Sequence, residues 1–180
     1  HPKEYRFSWD TGRLLNEYQL VYITRGRGTF ESKPTGRARI EAGHAFLIFP
    51  GVWHRYRPLK SAGWDETWIG FSGEYADRIM GEFFPTNKAV IRIGYNENLL
   101  LHMRAMSELM EATPPGYQQL LAAKTTDALA RVRALSLGYS NSDTDMMNTV
   151  QKARYHLLTH SNEDIDMPAL AKQLGMSYSG

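Results

Sequence analysis

Cysteine, long apolar runs and a secretory leader are all missing from this 180-residue sequence. Without cysteine the chain has no disulfide framework, which suits the reducing environment of the cytoplasm. No stretch reaches the roughly 18 apolar residues that span a membrane, and no basic, apolar and small-residue leader opens the chain. We therefore predict a cytoplasmic protein with no membrane contact. Its ends at His1 and Gly180 are those expected of a piece cut from a longer protein.

A strong charge of one sign is also missing, because the net charge is only +2. So small a value does not by itself indicate a nucleic-acid-binding protein. The first 39 residues carry eight Lys or Arg against four acids, and this excess has two interpretations. It is either a phosphate-binding face or a set of charges at strand edges and hairpin tips. The alternation of basic with apolar residues favours the second.

The motifs of common enzyme classes are missing as well. No serine lies in a glycine-x-serine-x-glycine frame, and the sequence has neither a P-loop nor a dinucleotide-binding fingerprint. The pair Gly26 and Gly28 is predicted to form the turn of a hairpin. We therefore predict a protein that is not an enzyme and has no cofactor.

The first half of the sequence contains a dense series of short strand patterns. Alternating residues predict seven strands, at Tyr5 to Trp9, Tyr18 to Arg25, Thr29 to Lys33, Arg37 to Ala42, His44 to Phe49, His54 to Arg57 and Glu66 to Phe71. Pro50-Gly51 predicts a turn, because proline fixes φ and glycine permits a positive φ. Lys88 to Ile93 can add an edge strand. So many short strands indicate a barrel or a sandwich.

The second half of the sequence has helical periodicity. Helices are predicted at Glu74 to Phe84, Glu97 to Ala112 and Tyr117 to Leu137, the last two forming an antiparallel pair around Pro114-Pro115-Gly116. A polar linker follows at Gly138 to Asp145. Beyond it, helices are predicted at Met146 to Thr159 and, after an Asp166 cap, at Ala169 to Leu174.

Three stretches resemble known sequences. Gly43, Pro50-Gly51, His54, Trp64, Trp68 and Phe71-x-Gly73 follow one another in the order found in the sensor domain of AraC-type transcription regulators, a branch of the cupin fold. The segment Tyr18 to Phe30 resembles the hairpin that precedes this motif in the family. Asp164 to Gly180 is similar to the opening of the family's DNA-binding domain, where Ala171, Gly175 and Ser177 match a helix-turn-helix.

The resemblance implies a mainly β fold with α-helices: a cupin-like, double-stranded β-helix barrel, then an antiparallel helix pair, then a truncated helical DNA-binding segment. We expect a sensing and dimerisation domain at 1–137, with the barrel at about 1–94 and the helices at about 97–137. A linker at 138–145 and the start of a helix-turn-helix domain at 146–180 follow. Charges from Met146 onward balance to zero, so we expect DNA to be bound by the full-length protein and not by this fragment.

In this family the effector lies inside the barrel, and the resemblance implies a ligand-binding set. It consists of Arg13, Tyr22, His54, Tyr56, Glu66 and Trp68. Trp68 can stack on a sugar face and Arg13 can donate hydrogen bonds, whereas Glu66 accepts them from hydroxyls and repels anions. A small molecule, with a carbohydrate as one candidate, is the expected effector. The alternatives are that Trp68 and Tyr56 only fill a barrel that binds nothing and serves to dimerise, or that the protein is a metal-dependent cupin enzyme.

A metal site is the less favoured alternative. Metal-bearing cupins use paired histidines on one strand, and this chain has no histidine between His1 and His44. His44, His54 and Glu66 supply the residue types of a non-haem iron site. The two histidines flank a turn rather than share a strand face, so we predict no metal.

The helix at Tyr117 to Leu137 predicts a homodimer. Its apolar positions cover more than one narrow stripe, which a single barrel wall cannot bury. In the family that the chain resembles, the corresponding helix pairs with its copy in a second subunit. The predicted interface residues are Leu120, Leu121, Lys124, Ala128 and Arg131. The alternative is that the methionine-rich helix before it covers the whole surface.

Overall fold

A computed structural model describes residues 9–138 and 145–176 of the chain, with the backbone alone at 145–148. Six strands and five α-helices lie in these ranges. The strands are β1 (Tyr18–Ser32), β2 (Gly36–Glu41), β3 (His44–Ile48), β4 (His54–Pro58), β5 (Trp64–Phe71) and β6 (Val90–Arg92). The helices are α1 (Glu74–Phe83), α2 (Glu97–Ala112), α3 (Tyr117–Gly138), α4 (Asp145–Thr159) and α5 (Met167–Gln173). None of the helices among the described residues is both long and apolar enough to cross a membrane.

The sheet is organised around β1, which has 15 residues and pairs with four other strands. Its first half lies between β3 and β5, and its second half lies between β2 and β4, all antiparallel. The short strand β6 extends the sheet beyond β3. Because one strand takes part in both halves, the sheet curls into a half-barrel, and the predicted mixture of a cupin-like β-fold with helices is confirmed.

The predicted hairpin at Gly26 to Gly28 is wrong, because β1 runs straight through these residues. Its pairing with β5 shifts register between Ile23 and Arg25, which leaves a bulge. Gly26 has φ of +84° and lies against the backbone of Gly63. The two glycines therefore bend a continuous strand instead of reversing it, and the reversal comes at residues 33–35.

The two faces of the sheet are buried against different groups. Val21, Ile23 and Phe46 line the inner face of the half-barrel, whereas Leu20 and Tyr22 lie on the opposite side, toward α2. Since successive strand residues point to opposite faces, this division follows from the register. Whether a polar side chain reaches the inside of the half-barrel therefore depends on its position in this alternation along its strand.

The helix pair α2 and α3 covers the outer side of the sheet, and its ends agree closely with the sequence prediction. Asn96 caps α2 by accepting a hydrogen bond from the Leu99 backbone N–H at 2.9 Å. The helix ends at Thr113, in a left-handed conformation with φ of 42°. Antiparallel packing is fixed partway along by His102, which lies 2.8 Å from the Lys124 carbonyl oxygen.

Helix α3 corrects one predicted interface residue. Ala128, Leu129 and Val132 are buried in the core of the same chain. A fully buried Ala128 has no surface to offer a second subunit, so its predicted role in a dimer interface is wrong. The helix buries part of its apolar surface against its own domain and leaves Leu120 and Leu137 exposed, so the methionine-rich α2 does not cover the whole surface.

Helices α4 and α5 form the C-terminal described segment. Asp166 caps α5, as predicted, by accepting from the Ala169 backbone N–H at 3.0 Å. Ala171 lies in α5 and accepts from the Met176 backbone N–H at 2.8 Å, while Gly175 ends the helix with φ of +69°. Ser177 and the rest of the predicted helix-turn-helix lie outside the described residues, as do most of the predicted linker and the predicted strand before Trp9.

Candidate functional site

Arg13 contacts two other predicted site residues, His54 and Tyr56, on the inner side of the half-barrel. Its backbone pairs with His54 through two hydrogen bonds of 2.9 and 3.1 Å. Its side chain donates from Nε to His54 Nε2 at 3.1 Å and from Nη2 to the Tyr56 hydroxyl oxygen at 2.7 Å. The Arg13 guanidinium therefore lies at a defined position in the mouth of the barrel.

His54 is held as a neutral hydrogen-bonding group. Its Nδ1 lies 3.0 Å from the Val52 carbonyl oxygen, and Nε2 accepts from Arg13. Burial lowers the pKa of His54, and the nearby Arg13 charge lowers it further, against the opposing effect of the Val52 bond. With Nδ1 protonated and Nε2 accepting, the ring orients Arg13 and leaves neither nitrogen available for a metal.

Glu66 brings a carboxylate to the same region from β5. Burial raises the pKa of Glu66, while a hydrogen bond from Trp64 and the charge of Arg13 oppose the rise. Its Oε2 atom is buried and has no hydrogen-bond partner among the described residues. A buried acceptor of this kind is ready to receive a donor from a ligand, because leaving it unpaired is unfavourable.

Aromatic rings form the wall beside these polar groups. The ring of Tyr56 lies 5.0 Å from that of Phe46 and 6.1 Å from that of Trp64, centroid to centroid. Phe30 lies behind Phe46 at 4.9 Å. This cluster fills one part of the half-barrel, so Tyr56 has a packing role as well as a polar one.

Trp68 follows Glu66 by two residues on β5 and therefore lies on the same face of the strand. Unlike the packed rings, it is 52% exposed. Across the sheet it is opposite the buried Val21. The structure thus brings Arg13, His54, Tyr56 and Glu66 together, with Trp68 beside them as an accessible aromatic surface.

Tyr22 does not join this cluster, and its predicted place in the ligand-binding set is wrong. It pairs with Thr67, whereas the neighbouring Ile23 pairs with Glu66, so Tyr22 points to the opposite face. Its side chain is fully buried, where its hydroxyl donates to the Gly94 carbonyl oxygen and accepts from the Asn96 backbone N–H, both at 2.9 Å. Tyr22 is a structural residue that ties β1 to the start of α2.

Two polar residues of the inner face were missed from the sequence. Gln19 is buried and lies opposite Gly70, on the face that carries Glu66 and Trp68. Its amide donates to Glu17 Oε1 at 2.8 Å, and the Glu17 carboxylate occupies the space above Gly70. The sequence signal was Gln19, a polar residue at a position where the alternation along the strand predicts a buried side chain. The Glu17 carboxylate therefore lies over β5, at a position four residues beyond Glu66.

The alternative metal triad is not assembled. Among the described residues, no group of three or more His, Cys, Asp or Glu side chains is placed to hold a metal ion. Nδ1 of His44 lies 3.0 Å from the Glu41 backbone nitrogen, away from the Arg13 cluster. His44, His54 and Glu66 therefore do not act together.

A further contact region joins the domain to the C-terminal segment. Glu97, at the start of α2, is only 5% exposed, and Arg154 of α4 lies 3.3 Å from its Oε1 atom. Lys152 lies over the ring of Tyr95, 5.5 Å from its centroid. Beside these contacts lies a cavity of about 530 Å³, lined by residues of β1, β5, α2, α4 and α5.

The sequence of the chain is similar to one known protein family. A family model described as the AraC-like ligand binding domain matches residues 2–129. No curated protein is significantly similar to the chain. Among solved structures, the AraC-like transcriptional activator CuxR is similar at 14% identity and a TM-score of 0.43, with 95% of this chain and 62% of that chain covered.

Two structures of ToxT from Vibrio cholerae are also similar. One has 11% identity, a TM-score of 0.43 and coverage of 93% of this chain and 66% of that chain. The other, with an unsaturated fatty acid bound, has 11% identity, a TM-score of 0.37 and coverage of 94% and 64%. The chain thus spans less than two thirds of the length of these proteins. Since the family model covers more than half of the sequence, the chain belongs to the family of AraC-like ligand binding domains.

Proposed function

We propose that the chain is the sensing region of an AraC-type transcription regulator and binds a small neutral molecule, with carbohydrates as the first candidate class, inside the half-barrel. It does no catalysis. The observation that carries this proposal is the buried Oε2 atom of Glu66, which has no partner among the described residues and lies on the strand face that Trp68 also shares. Arg13, held by His54 and Tyr56, supplies donors on the other side.

The chemistry of this site favours a ligand rich in hydroxyl groups. Glu66 and Glu17 accept hydrogen bonds, Arg13 donates them, and the exposed Trp68 ring offers an apolar platform. The Glu66 carboxylate, with Glu17 farther along β5, disfavours an anion, because like charges repel in a partly buried site. A neutral polyol can accept hydrogen bonds from Arg13, donate them to Glu66 and stack on Trp68.

Control of a DNA-binding domain is the second part of the proposal. The C-terminal segment contacts the sensor through Arg154 and Glu97, and Arg104 donates to the Thr159 carbonyl oxygen at 3.4 Å. Tyr22 ties the start of α2 to β1, whose next residue, Ile23, pairs with Glu66. A ligand that contacts Glu66 therefore lies beside β1. Through Tyr22, β1 holds the start of α2, and Glu97 of α2 contacts Arg154 of α4. We propose that occupancy changes how α4 and the DNA-binding domain are held, in a protein that acts in the cytoplasm.

Division into a sensing domain at 1–137, a linker at 138–145 and a helix-turn-helix start at 146–180 remains our proposal for the chain's organisation. Asp166, Ala171 and Gly175 support it, because Asp166 caps α5, Ala171 accepts a hydrogen bond from the Met176 backbone N–H, and Gly175 ends the helix in a left-handed conformation. Specific DNA recognition then belongs to the full-length regulator.

A homodimer through α3 completes the proposal. Leu120 and Leu137 are 50% and 71% exposed on one stripe of α3, and Ala123, Asp127, Ala130 and Ala134 lie between them at spacings of three and four residues. Arg131 borders this stripe, and Leu121 and Lys124 are half-buried beside it. Small side chains along the stripe permit close approach of a second copy.

Sedimentation velocity tests the dimer. We expect the chain to sediment as a dimer at tens of micromolar and the double variant Leu120→Glu, Leu137→Glu to sediment as a folded monomer. The matched control is Tyr75→Glu, Met110→Glu, two exposed apolar residues elsewhere, which should leave the dimer intact. A monomeric unsubstituted chain would contradict the dimer.

Thermal shift with a panel of neutral sugars, uronic acids, amines and fatty acids tests the ligand site. A true ligand at 100 times its dissociation constant stabilises by about 2.7 kcal/mol, which raises the melting temperature by roughly 5 °C or more in a chain of this size. Trp68→Ala should keep the fold and lose the shift, because half of this ring is in solvent. Tyr75→Ala, also an exposed aromatic residue but on α1, should keep the shift. A shift by acids alone would contradict the neutral ligand.

A further inference from the structure

The outer surface of strands β2, β1 and β4 carries five arginines, which we call the arginine face. Phe30, Ile40 and Tyr56 point inward from these strands, so the residues at alternate positions point outward. The outward arginines are Arg27, Arg37, Arg39, Arg55 and Arg57. Three of the eight basic residues in the first 39, Arg27, Arg37 and Arg39, thus share one sheet surface with Arg55 and Arg57.

The arginine face is ordered in rows across the three strands. Thr29 of β1 lies between Arg39 of β2 and Arg57 of β4, and Glu31 lies between Arg37 and Arg55. With strands about 4.8 Å apart, the two outer strands of each row are roughly 10 Å apart. The result is a basic surface with Thr29 at its centre.

Only part of this positive charge is compensated within the three strands. Arg55 is held by Glu31 through two hydrogen bonds of 2.8 and 2.9 Å, and both side chains are largely buried. Arg39 lies 3.4 Å from Glu41, an exposed pair of the kind that contributes little. Glu31 and Glu41 are the two acids of the arginine face, against its five arginines. The surface therefore keeps a net positive charge of three.

The side chain of Arg57 is held in position before any ligand binds. Trp9 lies against the outer surface of β4, where the Arg57 guanidinium lies 4.0 Å and that of Arg55 4.6 Å from the centroid of its ring. Arg55 also donates to the Trp9 carbonyl oxygen at 3.2 Å. Stacking on an indole limits the freedom of the Arg57 side chain, so less entropy is lost when it binds a phosphate.

We propose that the arginine face binds the phosphate backbone of duplex DNA, so that the sensing domain itself holds DNA without reading its sequence. Guanidinium groups match phosphate oxygens in two-point hydrogen bonds, and polar, strongly basic surfaces are typical of protein–DNA interfaces. A protein partner would require a buried apolar or aromatic anchor at the centre of the interface, whereas the outward positions of these strands hold arginine, glutamate and threonine. We had expected no DNA binding by this fragment because its C-terminal segment is uncharged overall, but the arginine face lies elsewhere.

Fluorescence anisotropy with a labelled duplex of arbitrary sequence tests this inference without any effector. The 180-residue chain should bind at about 50 mM salt, with log affinity falling against log salt with a slope of roughly −3 or steeper if three phosphates are neutralised. The variant Arg27→Gln, Arg39→Gln, Arg57→Gln should bind at least about tenfold more weakly, and its slope should be shallower by about 2 to 3. The matched control is Arg78→Gln, Arg104→Gln, Arg133→Gln, which removes the same charge from three helices and should bind like the unsubstituted chain.

Several outcomes overturn the inference: no binding by the unsubstituted chain, equal loss in the control, or competition by polyglutamate that matches competition by unlabelled duplex at equal charge. The last result would assign the surface to an acidic protein segment. If the triple variant does not fold, arginine modification by a dicarbonyl reagent with mass spectrometry gives a second measurement. Duplex should protect Arg27, Arg37 and Arg57 but not Arg78. Because none of these measurements involves the barrel, they are independent of the proposed effector site.

Discussion

Tyr22→Phe tests whether the hydroxyl of this buried tyrosine holds the sheet to the helices. The hydroxyl donates to the Gly94 carbonyl oxygen and accepts from the Asn96 backbone N–H, both at 2.9 Å, and the side chain is 0% exposed. Phenylalanine keeps the ring and its packing but leaves two buried backbone groups without a partner. Each such group costs about 1 to 3 kcal/mol.

We therefore expect Tyr22→Phe to lower the free energy of unfolding by about 2 to 4 kcal/mol at neutral pH. For a chain of this size, that corresponds to a fall of roughly 5 to 12 °C in melting temperature. Urea unfolding followed by circular dichroism measures the change, with Tyr75→Phe, an exposed tyrosine of α1, as the matched control. The control should differ from the unsubstituted chain by less than about 0.5 kcal/mol.

The pH dependence of this difference gives a second check. Burial raises the pKa of Tyr22, which means that its phenol ionises more readily in the unfolded chain than in the folded one. The stability associated with the neutral phenol is complete below the unfolded pKa of about 10 and declines as the pH rises above it. Phenylalanine does not titrate, so the deficit of Tyr22→Phe should shrink above pH 10. A variant as stable as the unsubstituted chain at pH 7 would refute the reasoning.

Three further predictions concern the barrel and the C-terminal contact. Glu66→Gln should be at least as stable as the unsubstituted chain at pH 7, because the raised pKa of Glu66 means that folding disfavours its charged form. In urea unfolding, this advantage should vanish as the pH falls below 4.5, where the carboxyl group is neutral in both states. A variant less stable than the unsubstituted chain at pH 7 would show that the charge of Arg13 outweighs burial. Gly26→Ala should lower stability by more than about 2 kcal/mol, because the left-handed backbone disfavours a side chain and the added Cβ meets the Gly63 carbonyl oxygen. Gly36→Ala, at φ of +72° in open space, is its control, and equal losses in the two would remove the steric argument. Arg154→Ala takes away the ion-pair partner of the buried Glu97, so limited proteolysis should cut residues 145–176 faster without exposing the barrel. The control Arg131→Ala should leave the cutting rate unchanged. Equal cutting rates for Arg154→Ala and the unsubstituted chain would contradict docking through this pair.

Local signals in the sequence determined most helix ends. Asn96 caps α2, Pro114-Pro115-Gly116 separates α2 from α3, and Asp166 caps α5, each through contacts within a few residues of the chain. Such contacts involve neighbours in sequence, so residue type and spacing suffice to predict them. The cupin-like class was likewise predictable from strand density together with the resemblance to AraC-type sensors.

Long-range pairing decided what the sequence left open. A glycine-x-glycine pair permits both a hairpin turn and a bend in a continuous strand, and β1 continues because β2, β3, β4 and β5 all pair with it. The register of β1 against β5 sets Tyr22 opposite Thr67 and Ile23 opposite Glu66, which places the Tyr22 and Glu66 side chains on opposite faces. Ala128 was assigned to a dimer because helical periodicity gives the faces of a helix but not the partner of each face. The arginine face required three strands, distant in sequence, to lie side by side, which is a property of the tertiary structure and not of any one segment.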